Sequence, residues 1–281
     1  MKKYPWKLTE IPKSKIKRFG EGGRRKKGVS KKEPLFSIIT VVYNGEKFLE
    51  KTIASVVNQS CKNFEYIIID GGSTDKSLDI IKKYEKKIDY WVSEKDNGIY
   101  DAFNKGMIIS KGEFIGFINS DDIYKKNALS IISNYIRKNK VADFIFGSVK
   151  KHWGILHGYK PHKIKYSWGF YSSHSTGFFV KRKVAEKVGF YNIKYKYHAD
   201  YDYFYRLIVK NKMKGISTKK NEIVGIFRRG GFSSKISFWK KLKEDIRIRY
   251  ENDQNIFLLI LIFINKFSRN IDQILKNIIN K

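Results

Sequence analysis

Apolar residues alternate between two spacings along roughly the first 150 positions of the chain. Short runs of β-branched and aromatic residues predict buried strands of a parallel sheet. These runs lie at 35–42, 64–69, 90–93, 114–118 and 144–146. Between them, apolar residues recur every three or four positions and predict amphipathic helices. The alternation predicts an α/β fold whose mostly parallel, Rossmann-like sheet carries helices on both faces.

The rest of the chain follows a less regular pattern. Helices are expected over 181–188 and 201–210, and again from 237 to the C-terminus. The first segment is basic, and its glycine-rich stretch 20–28 lacks apolar periodicity, which predicts an arm or loop. The expected organisation is a basic arm over 1–34, a main domain over 35–232 whose halves meet near 150, and a basic helical extension over 233–281.

Polar residues gather where four of the predicted strands end. The clusters are Tyr43-Asn44, Asp70 to Ser73, Glu94 to Gly98, and Asn119 to Asp122. Ligand sites of such sheets lie beyond the carboxyl ends of the strands, so the four clusters are expected on one rim. The adjacent carboxylates Asp121 and Asp122 suit a hard divalent cation, although a capping pair before the next helix explains them as well.

Charge is the unusual feature of the composition. The chain has 58 Lys and Arg against 27 Asp and Glu, a formal net charge of +31. Such an excess indicates an anionic partner, which can be nucleic acid, a phosphorylated substrate or an acidic membrane surface. Codon bias in an AT-rich genome explains part of it equally well, because Lys, Ile and Asn are all abundant.

Three further features narrow the class of protein. Cys61 is the only cysteine, which excludes a disulfide framework and favours a reducing, cytosolic compartment. Residues 1–34 lack the apolar core of a signal peptide, and the apolar run 256–264 is shorter than the ~20 residues of a membrane span. Neither a P-loop nor a Gly-x-Gly-x-x-Gly motif occurs, which excludes those modes of nucleotide binding.

An ordered series of segments resembles the family 2 glycosyltransferases. The segments are Ser37 to Asn44, Ser55 to Ser60, Ile69 to Asp75, Ser93 to Gly106, Gly112 to Ile115, and Asn119 to Asp122. The Gly98-Ile99-Tyr100-Asp101-Ala102 stretch is most similar to the colanic-acid and O-antigen branch of exopolysaccharide transferases. The resemblance covers roughly 34–232. It implies an inverting GT-A-fold enzyme that moves a sugar from a nucleoside-diphosphate donor, expected to be UDP-linked, to a bacterial surface-glycan or lipid-linked acceptor.

The resemblance also implies roles for individual residues on the donor side. The residues expected to contact the donor are Thr40, Tyr43, Asn44, Asp70, Asp96, Asn104, Lys105 and Asp121. Asp121 is expected near the ribose and Asp122 on Mn²⁺ or Mg²⁺ at the diphosphate, with Asp121 as a further metal ligand. A cation there stabilises charge on the leaving nucleoside diphosphate. Gly71 stands where family members commonly carry a second acid that contacts uracil, which leaves the nucleobase open.

Inverting transfer needs one general base on the acceptor side. The resemblance assigns this role to Asp200 in the segment His198 to Asp202, with Asp202 as the alternative, while helix capping is the structural explanation for Asp200. His174 and His198 are expected to be scaffold or acceptor contacts. Arg228 to Gly231 suits a diphosphate or an anionic acceptor, or forms a solvated loop.

Two more alternatives concern partners and function. The basic stretch 240–249 and the apolar stretch 256–263 predict either a membrane-surface helix or a helix packed on the domain. The first places the protein at the inner face of the plasma membrane, near polyprenyl-diphosphate-linked acceptors.

A nucleic-acid-binding protein would also explain the charge, but the acidic cluster Asp70, Asp121, Asp122 and Asp200 would repel phosphates. A pseudoenzyme of the same fold is the third hypothesis.

Overall fold

The computed structural model describes residues 6, 8–12, 16–29, 33–166, 175–228 and 236–270. Its strands are β1 (Arg18–Gly22), β2 (Phe36–Val42), β3 (Phe64–Asp70), β4 (Tyr90–Glu94), β5 (Phe114–Asn119), β6 (Ile123–Tyr124), β7 (Phe144–Phe146), β8 (Ser148–Lys151), β9 (Gly154–Leu156), β10 (Phe178–Lys181), β11 (Gly215–Ser217) and β12 (Ile223–Ile226). The described helices are α1 (Glu46–Val57), α2 (Ser77–Lys83), α3 (Ile99–Ile108), α4 (Ala128–Lys138), α5 (Arg182–Val188), α6 (Ala199–Tyr205), α7 (Phe238–Glu251) and α8 (Ile256–Arg269).

One large sheet organises the fold, and the predicted α/β class is confirmed. Its strand order is β1-β4-β3-β2-β5-β10-β7-β11, and a smaller sheet follows the order β6-β12-β8-β9. Strands β4, β3, β2 and β5 are mutually parallel, so their carboxyl ends meet on one rim. The four polar clusters lie at these four ends.

The core lies in two layers because neighbouring residues of a strand point to opposite faces. Ile39 and Val41 of β2 face the layer that contains α3, while Ile38 and Val42 face the layer that contains α1 and α4. Every residue of β2 and β3 is buried. Continuous apolar runs are typical of strands covered on both faces, which is why these two were readable from the sequence.

The segment predicted as an arm or loop instead adds an edge strand to the large sheet. β1 pairs antiparallel with β4, and Arg18 forms an ion pair with Glu94 at 3.0 Å. A Cβ at Gly20 would lie 2.9 Å from the Trp91 ring, and one at Gly22 would lie 2.7 Å from its Nε1. The glycines therefore allow a close approach to Trp91, a use that a loop prediction from composition misses.

The described C-terminal residues 236–270 are helical, as predicted, and contain the two mutually packed helices α7 and α8. Residues 271–281 of the predicted extension lie outside the described residues. Asn255 caps α8 by accepting hydrogen bonds from the backbone N–H groups of Phe257 and Leu258. Among the residues that the structure describes, no helix is long and apolar enough to cross a membrane.

Candidate active site

The loop after β2 is fastened to the turn after β3. Asn44 adopts a left-handed conformation with φ of 51°, and its backbone N–H donates to Ser73 Oγ at 2.8 Å. Its side-chain Oδ1 accepts from the Thr74 backbone N–H at 2.8 Å. Tyr43, one residue earlier, is exposed at the rim. Of the residues predicted to bind the donor, Tyr43 is thus available, while the Asn44 amide oxygen is engaged in shaping the rim.

Asp70 organises the same turn from within. It ends β3, is completely buried, and accepts hydrogen bonds from the hydroxyl groups of Ser73 and Ser93. The Ser73 backbone N–H also donates to Asp70 Oδ2 at 3.1 Å. A buried carboxylate that already accepts from three donors stabilises the loop conformation and has little capacity left to bind a ligand. Asp70 therefore supports the donor rim, and it offers little surface for the direct contact that the resemblance implies.

Asp96 lies directly beside Gly71. A Cβ at Gly71 would lie 2.6 Å from Asp96 Oδ2, so any side chain at position 71 would displace this carboxyl group. Asp96 Oδ1 accepts from the Gly98 backbone N–H at 2.9 Å. Burial raises the pKa of the Asp96 carboxyl. The loop after β4 thereby brings an acid to the place where the resemblance implies one at position 71.

Three other residues predicted to bind the donor have structural partners. Thr40 is fully buried, and its hydroxyl lies 2.9 Å from that of Tyr66. Asn104 exchanges two hydrogen bonds with the backbone of Tyr191, at 2.8 and 2.9 Å. Lys105 forms an ion pair with Glu94 at 2.9 Å. Burial argues against direct donor binding by Thr40. The donor contacts of Asn104 and Lys105, which are both half-buried, stay predictions.

The acidic pair at the end of β5 separates into two environments. Asp122 is 1% exposed, with Oδ2 accepting from the Thr176 hydroxyl and Oδ1 from the Arg228 backbone N–H at 3.1 Å. Burial, together with the neighbouring Asp121 carboxylate, raises the pKa of Asp122 to about 7. Asp121 is only half-buried. The arrangement argues against the prediction that Asp122 is the metal ligand, because neither oxygen is accessible, and leaves Asp121 as the candidate.

The surroundings of Asp121 suit an incoming polar group. Asn119 Oδ1 is buried and has no hydrogen-bond partner among the described residues. Buried acceptors are usually satisfied, so this oxygen fits a hydroxyl group or a cation. The Arg228 guanidinium lies over the Phe48 ring, 3.0 Å from its centre. Burial raises the pKa of the Asp121 carboxyl, and the Arg228 charge partly opposes this shift. Arg229 to Gly231 and His174 lie outside the described residues.

The two candidate bases differ sharply in their partners. Asp202 is ion-paired with Arg206 at 2.9 Å and accepts from Asn252 Nδ2 at 3.0 Å. Asp200 Oδ1 accepts from the Tyr201 backbone N–H at 2.9 Å and lies 3.1 Å from the Tyr100 hydroxyl. Asp200 does not cap α6, because His198 occupies the capping position without a side-chain cap. Asp202 is thus committed to the scaffold, whereas Asp200 accepts from a backbone N–H and faces a hydroxyl group.

Tyr100 connects the two halves of the site, a role that sequence reasoning missed. It lies in the first turn of α3, directly after the loop that holds Asp96, and its hydroxyl reaches Asp200 on α6. Burial, reinforced by the Asp200 charge, raises the pKa of Tyr100 well above its ordinary value. It therefore remains a hydrogen-bond donor. The signal was its place in the Gly98 to Ala102 motif, although spacing alone could not reveal a partner 100 residues away.

The fold is the GT-A fold of glycosyltransferases. Residues 37–204 match the protein family described as Glycosyl transferase family 2, and the chain belongs to that family and is a glycosyltransferase. Staphylococcus aureus TarS 1-349 in complex with UDP-GlcNAc superposes with a TM-score of 0.63 at 19% identity, covering 83% of this chain and 72% of that one. The mannosyltransferase PcManGT from Pyrobaculum calidifontis, in complex with GDP-Man and Mn²⁺, gives 0.58 at 12% identity, covering 85% and 76%.

Sequence relatives are named as glycosyltransferases. The PGL/p-HBAD biosynthesis glycosyltransferase of Mycobacterium bovis is 28% identical over 232 residues, which are 76% of this chain and 86% of that protein. The putative teichuronic acid biosynthesis glycosyltransferase TuaG of Bacillus subtilis is 39% identical over 100 residues, which are 34% and 40%. The predicted family, fold class and enzyme class are confirmed by these comparisons.

Proposed function

We propose that the protein transfers a sugar, with inversion, from a UDP-sugar to a hydroxyl group of a surface-glycan or lipid-linked acceptor. The observation that carries the proposal is the hydrogen bond between Tyr100 and Asp200, because it links an acid of the acceptor half to the loop of the donor half. The neighbours that bind UDP-GlcNAc and the relatives named for glycan biosynthesis support the donor and acceptor classes.

The proposed reaction needs one proton transfer and one displacement. Asp200 accepts the proton of the acceptor hydroxyl as that oxygen attacks the anomeric carbon from the face opposite the leaving group. The new glycosidic bond forms as the bond from the anomeric carbon to the diphosphate breaks, which inverts the configuration and releases UDP. The Tyr100 hydroxyl orients the Asp200 carboxylate. A positioned base of this kind contributes about two to four orders of magnitude.

On the donor side, Asp121 is the residue proposed to hold Mn²⁺ or Mg²⁺, together with oxygens of the donor itself. The described residues contain no group of three acidic, His or Cys side chains that could hold a metal alone, so the diphosphate would complete the coordination. When bound, the cation would neutralise charge on the leaving diphosphate. The buried Asn119 Oδ1, two residues before Asp121, has no partner among the described residues and would fit the same cation or a donor hydroxyl group.

Asp96 is proposed to face the nucleobase. Its carboxyl group lies where the acid missing at Gly71 would extend, so the rim keeps an acidic group despite the sequence difference. A carboxylate there accepts a hydrogen bond from the N3–H of uracil.

We propose that the enzyme acts at the inner face of a membrane, where it would meet a polyprenyl-linked acceptor.

A donor screen tests the proposal. Purified protein is incubated with Mn²⁺ and a panel of UDP-, GDP- and TDP-sugars, and free nucleotide is measured with and without added acceptor glycan. The expected result is metal-dependent release of UDP, with an inverted anomeric configuration in the product by NMR. Preference for a GDP- or TDP-sugar would contradict the proposed UDP-linked donor, and retention of configuration would contradict the single-displacement mechanism.

A further inference from the structure

One side of α8 carries apolar side chains that are exposed in the described part of the chain. Only Leu259 and Ile262 are buried, whereas Phe257 is 73% and Leu261 63% exposed. Six exposed residues form what we call the α8 stripe: Ile256, Phe257, Ile260, Leu261, Phe263 and Ile264. Most recur at intervals of four, so they line one side of the helix. Contiguous exposed apolar surface of this kind marks an interaction site.

We propose that the α8 stripe lies on an anionic lipid bilayer, which names the surface responsible for the membrane location proposed above. At about 1.5 Å per residue, the 14 residues of α8 span about 21 Å, less than the hydrocarbon thickness of about 30 Å. The helix therefore lies in the interface, as amphipathic helices with a basic border do.

Charge selects a bilayer over a second copy of the chain. Lys240 and Lys243 are exposed on the adjoining helix α7, and Arg269 is exposed at the end of α8. Trp239 of α7 is half exposed, and its ring lies 6.0 Å from that of Phe267. Basic residues beside an apolar, aromatic-bordered face complement anionic headgroups. Two copies of a chain with net charge +31 would repel each other there.

Vesicle co-sedimentation of the full chain tests this surface. The probes are vesicles of phosphatidylcholine alone and of phosphatidylcholine mixed with phosphatidylglycerol. The test variant combines Phe257→Glu with Leu261→Glu. The matched control combines Val29→Glu with Val141→Glu, which changes the net charge equally at two other exposed apolar positions. We expect the wild type and the control to bind the mixed vesicles, and the test variant to bind about a hundredfold more weakly.

Several results would overturn the docking proposal. They are absence of wild-type binding at low salt, equal binding to both vesicle types, and unchanged binding by the test variant. A wild-type dimer that becomes monomeric in the test variant, seen by sedimentation velocity, would make a second copy the occupant. The lipid and salt dependence of the wild type decides the matter even where the test variant fails to fold, because an electrostatic contribution weakens as salt rises.

A separate observation concerns the loop immediately before Asp200. The Glu244 carboxylate on α7 accepts three backbone hydrogen bonds from this loop. Its Oε2 accepts from the N–H of Lys196 at 2.9 Å, and its Oε1 accepts from those of Tyr197 and His198 at 2.7 Å each. The Tyr197 carbonyl oxygen in turn lies 3.2 Å from the Tyr100 hydroxyl that contacts Asp200.

We infer that Glu244 is a positioning residue for the acceptor-side base, an inference that rests on the proposed role of Asp200. A carboxylate that binds three successive N–H groups with charge-assisted hydrogen bonds fixes the backbone that leads into α6. Asn252, just after α7, holds Asp202 at 3.0 Å on the other side of Asp200. The C-terminal helices thereby hold the segment that carries the base at two points.

Glu244→Gln tests this inference, because the amide keeps the shape but turns one acceptor oxygen into a donor that faces N–H groups. We expect kcat for transfer to fall about tenfold to a hundredfold, while the donor KM and UDP affinity stay unchanged. Glu251→Gln is the matched control. Glu251 lies on the same helix but contacts the side chains of Lys194, Tyr195 and Arg247 rather than this backbone.

The outcomes separate this inference from the proposed mechanism. If Asp200→Asn remains active, the assigned base is wrong whatever Glu244 does. If Asp200→Asn is inactive while Glu244→Gln has normal kcat, the positioning role alone is refuted. A rise in donor KM or a loss equal to that of Glu251→Gln would also refute it, since both would indicate a general structural effect.

Discussion

Asp200 and Asp202 lie two residues apart on α6, and replacing each by Asn is expected to damage different properties of the protein. Asp200 accepts hydrogen bonds from two neutral donors, the Tyr201 N–H and the Tyr100 hydroxyl. Asp202 pairs with Arg206 and Asn252. The first substitution should remove a base from an intact fold, and the second should weaken the fold around an intact base.

The magnitudes follow from these contacts. Asp200→Asn keeps the shape and the acceptor oxygen for Tyr100, so turnover should fall by about two to four orders of magnitude with little change in stability. Asp202→Asn removes the charge from a buried ion pair with Arg206. Losing a charge-assisted hydrogen bond of this kind costs about 1.5–3 kcal/mol of unfolding free energy. At about 2–4 °C per kcal/mol, Tm should fall by about 3 to 12 °C.

The assay pairs activity with stability for each variant. Transfer is measured well below Tm with saturating donor and acceptor, UDP affinity is measured by calorimetry, and unfolding is followed by scanning calorimetry. Asp253→Asn serves as the control, because Asp253 is an exposed acid whose pairing with Lys210 lies at the surface. Exposed pairs of this kind contribute little, so both its turnover and its Tm should match the wild type.

The reasoning would be refuted by the reverse pattern. If Asp202→Asn folds normally and is inactive while Asp200→Asn turns over, the base is Asp202 and the ion pair with Arg206 does not disable it. If both variants transfer sugar at wild-type rates, no carboxylate of α6 is the base.

Three further predictions concern the donor rim and the fold. Chelation of divalent metal should abolish transfer, and Asp121→Asn should remove the Mn²⁺ dependence of UDP affinity measured by calorimetry, whereas Asp122→Asn should keep it. Gly71→Ala should weaken UDP binding by displacing the Asp96 carboxyl group, with little change in Tm because only a side-chain end must move. Hydrogen bonds from Lys194 and Tyr195 lower the pKa of Glu251 to about 2 from 4.5. Its stabilising effect should therefore be complete above pH 4.5 and disappear towards pH 2, and denaturant unfolding should show Glu251→Gln converging with the wild type across that window.

The parallel half of the sheet was predictable because burial on both faces leaves a strong signal in the sequence. The strands β2 and β3 are buried throughout and mostly apolar, and Asp70 marks the point where the second one ends. The edge strand β1 was not predictable in this way. As an edge strand it pairs with only one other strand, β4. Its glycines allow close contact with Trp91, and a glycine-rich composition alone predicts a loop.

The candidate site was predictable as a set of loops but less well as a set of side chains. Thr40 shows a signal that was present and unused. Its position in β2 alternates in step with Ile38 and Val42, which face the core layer that contains α1. A side chain that points into this core layer is buried, even when its residue belongs to a motif that binds a ligand at the strand end. The hydroxyl of Tyr66 confirms the consequence for Thr40.

Asp122 and Asp96 show what the sequence could not contain. The burial of Asp122 depends on Thr176 and on the Arg228 backbone, 54 and 106 residues away, so an Asp-Asp pair gives no sign of which acid is accessible. The Asp96 carboxyl group occupies the space that a side chain at position 71 would need. It does so because β3 and β4 are adjacent and parallel, with Asp70 opposite Ser93 in register. Adjacent parallel strands bring the loops that follow them together, and a side chain of one loop can then fill space left by a glycine of the other. A missing acid in one motif is therefore weak grounds for a missing contact at the rim, and we expect the nucleobase preference to depend on the pair Gly71 and Asp96 rather than on either residue alone.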